Sequence, residues 1–197
     1  MITPIYIDID VTINNFETAF LDFVYNQTGE QIPLSKWTTY YLKDAPNLPI
    51  EREKILDLMD AFHKPENLSQ LKVREGVLKT LKQYKDKAQY HFITTRNSNQ
   101  YPGIENLTCK WLISNGVTPN SNNIHFSTTK VEIAKTLDIK LGIEDSGELA
   151  LNMAEEGIPT LLLSYPWNKT TGHKLITRVQ DWRGMFNIEF YLNQILK

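Results

Sequence analysis

Pro4-Ile5-Tyr6-Ile7-Asp8-Ile9-Asp10-Val11-Thr12-Ile13 begins as an apolar, β-forming run and then delivers two carboxylates two positions apart. Ile5, Tyr6, Ile7 and Ile9 suit a central parallel strand covered on both faces, where a sequence is almost continuously apolar instead of alternating. Asp8 interrupts that run. A carboxylate at the mouth of a buried strand costs desolvation energy unless a metal ion or a set of donors meets it. Ligands of open α/β sheets bind beyond the carboxyl ends of the strands, so this acidic tip is the first candidate site.

After Thr12 the apolar period changes. Phe16, Ala19, Phe20, Phe23 and Val24 fall on one face of a helix, and Gly29 is placed to end it. An aromatic-rich stretch with Trp37, Tyr40 and Tyr41 follows, then a loop punctuated by Pro46 and Pro49. A second helix is expected to start at Pro49, with Ile55, Leu58, Met59 and Phe62 as its stripe and an end near Pro65. Residues 16–72 therefore read as a helical insertion between the first and second strands, and residues 1–15 with 73–197 as an α/β core.

Beyond the insertion, helices and strands alternate. A helix from about Arg74 to Tyr84 leads to the strand Gln89–Ile93 and its end, Thr94-Thr95-Arg96-Asn97. A hydroxyl there offers an uncharged donor for an anionic oxygen, although threonines after strands also serve as turn residues. Glu105 to Asn115 forms the next helix, stopped by Gly116, and Asn123–Phe126 a short third strand. Thr129 with Glu132 three residues later predicts a capping box, which makes Lys130 the first residue of its helix. A cation in a first turn opposes the helix dipole, a poor place for a lysine without a purpose. Lys140–Ser146 is a fourth strand ending in the adjacent acids Glu144 and Asp145, which repel each other unless a cation relieves them. Ser146 is placed to cap a helix reaching Glu156, and Thr160–Leu163 is a fifth strand.

Composition excludes several classes. The chain has 197 residues, 41% hydrophobic and 22% charged, enough for a substantial core. A formal net charge of -2 supplies no basic footprint for a nucleic-acid polymer. No apolar run is long enough to span a bilayer, and no basic-then-apolar leader opens the sequence, so no membrane partner is expected. The single cysteine, Cys109, excludes an internal disulfide and fits a reducing, cytoplasmic compartment. No Gly-rich phosphate loop is present, and none of His63, His91, His125 and His173 has a partner at metal-ligand helical spacing. The histidines are assigned to packing or surface.

Asp-x-Asp-x-Thr after the first strand, then Thr94, Lys130 and Glu144-Asp145, each at or just past a strand end, resemble the four motifs of the haloacid dehalogenase superfamily. Any one has an ordinary structural explanation, whereas all four in this order do not arise together by chance. Ser164-Tyr165-Pro166-Trp167-Asn168, then Arg178-Val179 and Trp182, further resemble the ending of bacterial and phage relatives of the 5'(3')-deoxyribonucleotidases. The resemblance implies a Rossmann-like parallel sheet in the order 5-4-1-2-3 flanked by helices, with a small helical cap after strand 1. It implies a magnesium-dependent phosphomonoesterase in which Asp8 is the nucleophile and Asp10 the general acid and base. Magnesium would rest on Asp8, the Asp10 carbonyl and Asp145, while Thr94 and Lys130 hold the phosphoryl oxygens. Thr94 is preferred to Thr95 because Arg96 then stands two residues on. The substrate implied is a nucleoside monophosphate, with Phe16 against the base and Trp37, Tyr40, Tyr41 and Phe62 completing an aromatic wall or forming the cap's own core. Homodimerisation is left open.

Two departures stand out. Val11 occupies a position where many relatives carry Gly or a small polar residue, and a β-branched side chain resists positive φ, so a stiff turn is expected. Glu144 replaces the commoner Asp. Three other readings remain: a phosphatase of sugar or polyol phosphates, a receiver-like signalling domain, and an inactive binding module. The receiver carries its phosphorylated Asp on the third strand and has no cap; the inactive module is disfavoured by the presence of both Asp8 and Asp10.

Overall fold

The computed structural model describes residues 2–183. Strands β1 (Thr3–Ile7), β2 (Ala88–Thr94), β3 (Ile124–Phe126), β4 (Leu141–Glu144), β5 (Thr160–Leu163) and β6 (Ile176–Val179) form one sheet in the order β3-β2-β1-β4-β5-β6. Every neighbouring pair is parallel. The first five strands lie in the expected order. Strand β6 was not expected: Ile-Thr-Arg-Val is short and largely half-buried at the sheet's edge, so its sequence lacks the apolar run that marks the central strands.

Successive side chains of a strand face opposite ways, which explains why β1 is apolar throughout. Ile5 and Ile7 join the larger core with Phe92, Leu141 and Ile143. Tyr6 points to the other face, into a second cluster with Ile93, Ala134, Ile139, Met153 and Ile158. Helices α1 (Phe16–Thr28), α2 (Arg52–Phe62), α3 (Pro65–Leu68), α4 (Val77–Tyr84), α5 (Ile104–Ser114), α6 (Lys130–Thr136) and α7 (Gly147–Glu155) connect the strands, with short 3-10 turns at Leu34–Lys36, Leu42–Asp44 and Pro166–Asn168.

The stretch between β1 and α4 is helical and turn-like. It leaves and rejoins the sheet at one point, where Asn14 and Val73 form an isolated antiparallel bridge. The Asn15 side chain accepts from the Lys72 N–H at 2.7 Å and reinforces that neck. The expected stripe of α1 packs inward: Phe62 of α2 lies 5.2 Å from Phe16, 5.4 Å from Phe20 and 5.4 Å from Phe23 between ring centroids.

Two expected helix starts move, and one expected cap does not form. Helix α2 begins at Arg52, three residues after Pro49, with an extended Glu51 before it. Helix α4 begins at Val77, because Gly76 holds φ at +91° and cannot be part of the helix. At α6 the capping box does not form: Thr129 makes no side-chain cap bond, and its hydroxyl pairs with Ser127 Oγ at 3.1 Å. Ser146 does cap α7, its Oγ accepting from the Leu149 N–H at 3.3 Å.

Gly76 also gives close approach. A Cβ built there would meet Trp182 Cβ at 3.0 Å, and Trp182 is buried with its indole N–H donating to the Thr12 carbonyl at 2.7 Å. Gly76→Ala is therefore expected to lower stability by ~1–3 kcal/mol, the usual cost of a non-glycine residue in such a backbone region. A urea midpoint identical to wild type would show that this backbone relaxes freely.

Candidate active site

Strand register assembles the site. Ile7 pairs with Ile143 in β4 and with Phe92 in β2, so the residues that follow, Asp8, Glu144 and Thr94, emerge at one end of the sheet. Lys130 arrives from the first turn of α6 and is buried, which excludes a solvated surface lysine. Its Nζ donates to Asp8 Oδ1, to Glu144 Oε1 at 3.2 Å and to the Tyr6 hydroxyl at 3.0 Å. Tyr6 in turn donates to Glu144 Oε1 at 2.7 Å. These partners explain both a tyrosine inside an otherwise aliphatic strand and a lysine at a helix start.

Glu144 is committed to internal bonds. Its Oε2 accepts from the backbone N–H groups of Asp145 at 2.8 Å and Ser146 at 3.4 Å, while Oε1 faces Tyr6 and Lys130. The extra methylene over Asp lets the carboxylate reach across the sheet face to them. Asp8, Glu144 and Asp145 are all buried, and each brings a carboxylate oxygen within 4.8 Å of the other two. Burial pushes the Asp8 carboxyl up to about 7, Glu144 adding to the effect and Lys130 opposing it. Burial also raises Asp145, again with Glu144 and Asp8 adding. For Lys130 burial favours the neutral amine, but Asp8 and Glu144 overcome it and hold the ammonium above its usual range. One ammonium among three carboxylates leaves an excess of negative charge, and an oxygen-ligated divalent cation fits it.

Asp10 has different surroundings. Arg96 grips it bidentately, Nε to Oδ2 at 2.8 Å and a terminal nitrogen to Oδ1 at 2.6 Å, and the Asn14 amide donates to Oδ1 at 3.0 Å. Burial alone would raise this carboxyl, but the guanidinium outweighs it and holds Asp10 below the usual carboxylate range. Arg96 is itself steadied by donating to Thr108 Oγ1 at 2.9 Å.

The turn after Asp10 is strained. Val11 adopts φ of 63°, a conformation β-branched residues avoid and one that costs ~1–3 kcal/mol. It is held there at both ends, its N–H donating to Asn14 Oδ1 at 3.2 Å and its carbonyl accepting from Arg74 Nε at 2.5 Å.

Above these groups lies a cavity of about 610 Å³. Asp8, Asp10, Thr94, Arg96 and Asp145 line it on the sheet side, and Phe16, Trp37, Tyr40, Met59, His63 and Tyr101 are among those around it. Thr94 is buried at the end of β2, whereas Thr95 is exposed, and both reach the cavity. Phe16 lines it while lying mostly within the aromatic core of the insertion, being 7% exposed. Tyr41 also lines it; Phe62 is not among the lining residues and belongs to the insertion's own core. His63, assigned from sequence to packing or surface, lines the cavity, stacked on Tyr101 at 4.2 Å.

Sequence reading missed Arg96 and Asn14 as partners of Asp10, Tyr6 as a partner of Glu144, and Trp167, whose indole N–H reaches Asp145. Asn14, four residues after Asp10, carried a local signal; the other contacts join distant segments.

The sheet order defines the fold class. The protein has the fold of the haloacid dehalogenase-like hydrolases, and the expected resemblance to nucleotidases of that fold is borne out. No family model matches the chain. It is 26% identical to a protein named "Putative nucleotidase" from Halalkalibacterium halodurans, over 89% of this chain and 87% of that one. It is 25% identical to a nucleotidase from Clostridium acetobutylicum, over 93% of this chain and 92% of that one. Among solved structures, a HAD family hydrolase from Deinococcus radiodurans with bound phosphate and sodium superposes with a TM-score of 0.66, at 14% identity, over 98% of this chain and 96% of that one. Among the described residues no helix is long and apolar enough to cross a membrane.

Proposed function

We propose that the protein is a magnesium-dependent phosphomonoesterase that hydrolyses (deoxy)nucleoside monophosphates through an aspartyl-phosphate. The observation that carries this reading is the pair Asp8 and Asp10 facing one cavity, the first against Lys130 and the second against Arg96. Lys130 takes Asp8 Oδ1, so Oδ2 is the oxygen that attacks phosphorus in line. The P–O ester bond breaks, and a protonated Asp10 gives its proton to the leaving alkoxide. In the second half, the Asp10 carboxylate takes a proton from water, whose oxygen attacks the same phosphorus and releases phosphate, regenerating Asp8. Arg96 favours the carboxylate form that the second half needs; acting as an acid requires Asp10 to loosen that grip.

Thr94 and Lys130 are assigned to the phosphoryl oxygens. Magnesium would be held by Asp8, the Asp10 carbonyl and Asp145, since the oxygens of Glu144 are engaged elsewhere, and would neutralise charge on the transferring group. Residues 16–72 act as a cap over the core formed by residues 1–15 and 73–197. The part of the core from residue 184 onward lies outside the described residues.

The nucleotide assignment is supported by the names of the two relatives and by the cavity's aromatic lining, in which Phe16, with Tyr40 and Tyr41, is offered to the base. Stacking is worth ~1–3 kcal/mol per base and tolerates any base, so it separates nucleotides from sugar phosphates without choosing among bases. Phosphate release is expected to be fastest with nucleoside monophosphates, slower with base-free sugar phosphates, absent in chelator and restored by magnesium. Preference for sugar phosphates would remove the nucleotide assignment alone; full activity in chelator would remove the metal.

A further inference from the structure

The Tyr-Pro-Trp-Asn segment after β5 does no chemistry in the mechanism above, yet it is built around Asp145. The Trp167 indole N–H is shared between the Asp145 carboxylate, Oδ2 at 3.1 Å, and its carbonyl at 3.2 Å. Asn168, fully buried, donates from Nδ2 to the carbonyls of Asp145 and Leu163, both at 2.7 Å. Arg178 of β6 closes the frame, bonding Asn168 Oδ1 at 3.1 Å and the Asn168 carbonyl at 2.7 Å. The indole itself is clamped, stacked on Tyr165 at 4.4 Å and 3°, with Trp37 of the insertion 5.3 Å away.

We propose that Trp167 is a positioning residue for divalent-cation binding: its indole N–H holds Asp145 Oδ2 so that Oδ1 is presented to magnesium. This rests on the reading that Asp145 is a cation ligand. Indole nitrogen can only donate, so it fixes the carboxylate as an acceptor and selects one orientation of it, where a hydroxyl or amide could serve either way. Carboxylate ligands of metals are themselves hydrogen-bonded, and removing such outer partners typically weakens metal binding by about 10–100-fold.

The test is magnesium binding by calorimetry on the full chain without substrate. Trp167→Phe, which keeps a ring and removes the donor, is expected to raise the magnesium Kd by about 10–100-fold. Trp37→Phe, which leaves the Trp167 donor in place, is expected to bind as wild type does. In wild type, one tryptophan indole N–H resonance is expected to move on magnesium addition, while that of Trp111, bonded to the distant Leu71 carbonyl at 2.9 Å, stays. That spectrum carries the test should Trp167→Phe fail to fold. An unchanged Kd in Trp167→Phe, an equal loss in Trp37→Phe, or no moving indole resonance overturns this proposal and leaves the phosphatase reading intact. Wild-type protein that binds no magnesium overturns this proposal together with the assignment of Asp145 as a cation ligand on which it rests.

Discussion

Asp8→Asn is expected to reduce phosphate release to the uncatalysed background and to leave no hydroxylamine-sensitive phosphoprotein after incubation with substrate. An amide cannot form the acyl-phosphate, and no other carboxylate can replace it: Glu144 is tied to Tyr6, Lys130 and two backbone N–H groups, and Asp145 to Trp167. Asp10→Asn is the informative companion. It leaves the nucleophile and removes the proton carrier, worth ~10²–10⁴ in rate. The loss is expected in both halves with alkoxide leaving groups; with p-nitrophenyl phosphate, whose leaving group needs no proton, Asp8 is still expected to be phosphorylated slowly while hydrolysis of the aspartyl-phosphate stays impaired. Because Asp10 also anchors Arg96 and Asn14, thermal unfolding must accompany the kinetics. Substantial turnover by Asp8→Asn would remove Asp8 as nucleophile, whatever Asp10→Asn does.

The second large effect is on stability. Lys130→Met is expected to destabilise the protein by ~3–5 kcal/mol in chelator, because it strips the ammonium from buried Asp8 and Glu144 and leaves their charges uncompensated. Magnesium should restore part of the loss, since a cation that binds only the folded state stabilises it by mass action. An exposed ion pair, such as Lys135 with Glu156, would give no more than ~1 kcal/mol on the same substitution. A denaturant midpoint that barely moves in Lys130→Met would mean that the carboxylates protonate at little cost, and that the lysine acts on substrate without holding the empty site together. A loss that magnesium cannot reduce would separate the lysine's structural role from the cation site.

The hydrophobic pattern foretold β1, β4 and β5 most clearly, because they are almost wholly buried and carry the apolar run that burial on both faces requires; the strand order came from the family resemblance. The insertion's helices were legible from the stripes Phe16-Phe20-Val24 and Ile55-Leu58-Phe62, which supply its inner face. What moved were ends and caps. Gly76, without a side chain, is free to take the left-handed conformation that brings it against Trp182, and Thr129 gives its hydroxyl to Ser127 two residues back in place of a cap bond.

The sequence by itself determined which carboxylates stand at strand ends, because a charge placed after a buried strand emerges at its tip whatever else the chain does. It also determined that Lys130 opens a helix. Only the tertiary structure decided how those groups divide their work. It set Lys130 on Asp8, Arg96 on Asp10, and Trp167 on Asp145, contacts across 122, 86 and 22 residues of chain, respectively. It also held Val11 at a positive φ that its own side chain opposes. Partners so far apart leave no mark in local periodicity, because their pairing energy appears only when parallel strands bring their tips to one end of the sheet.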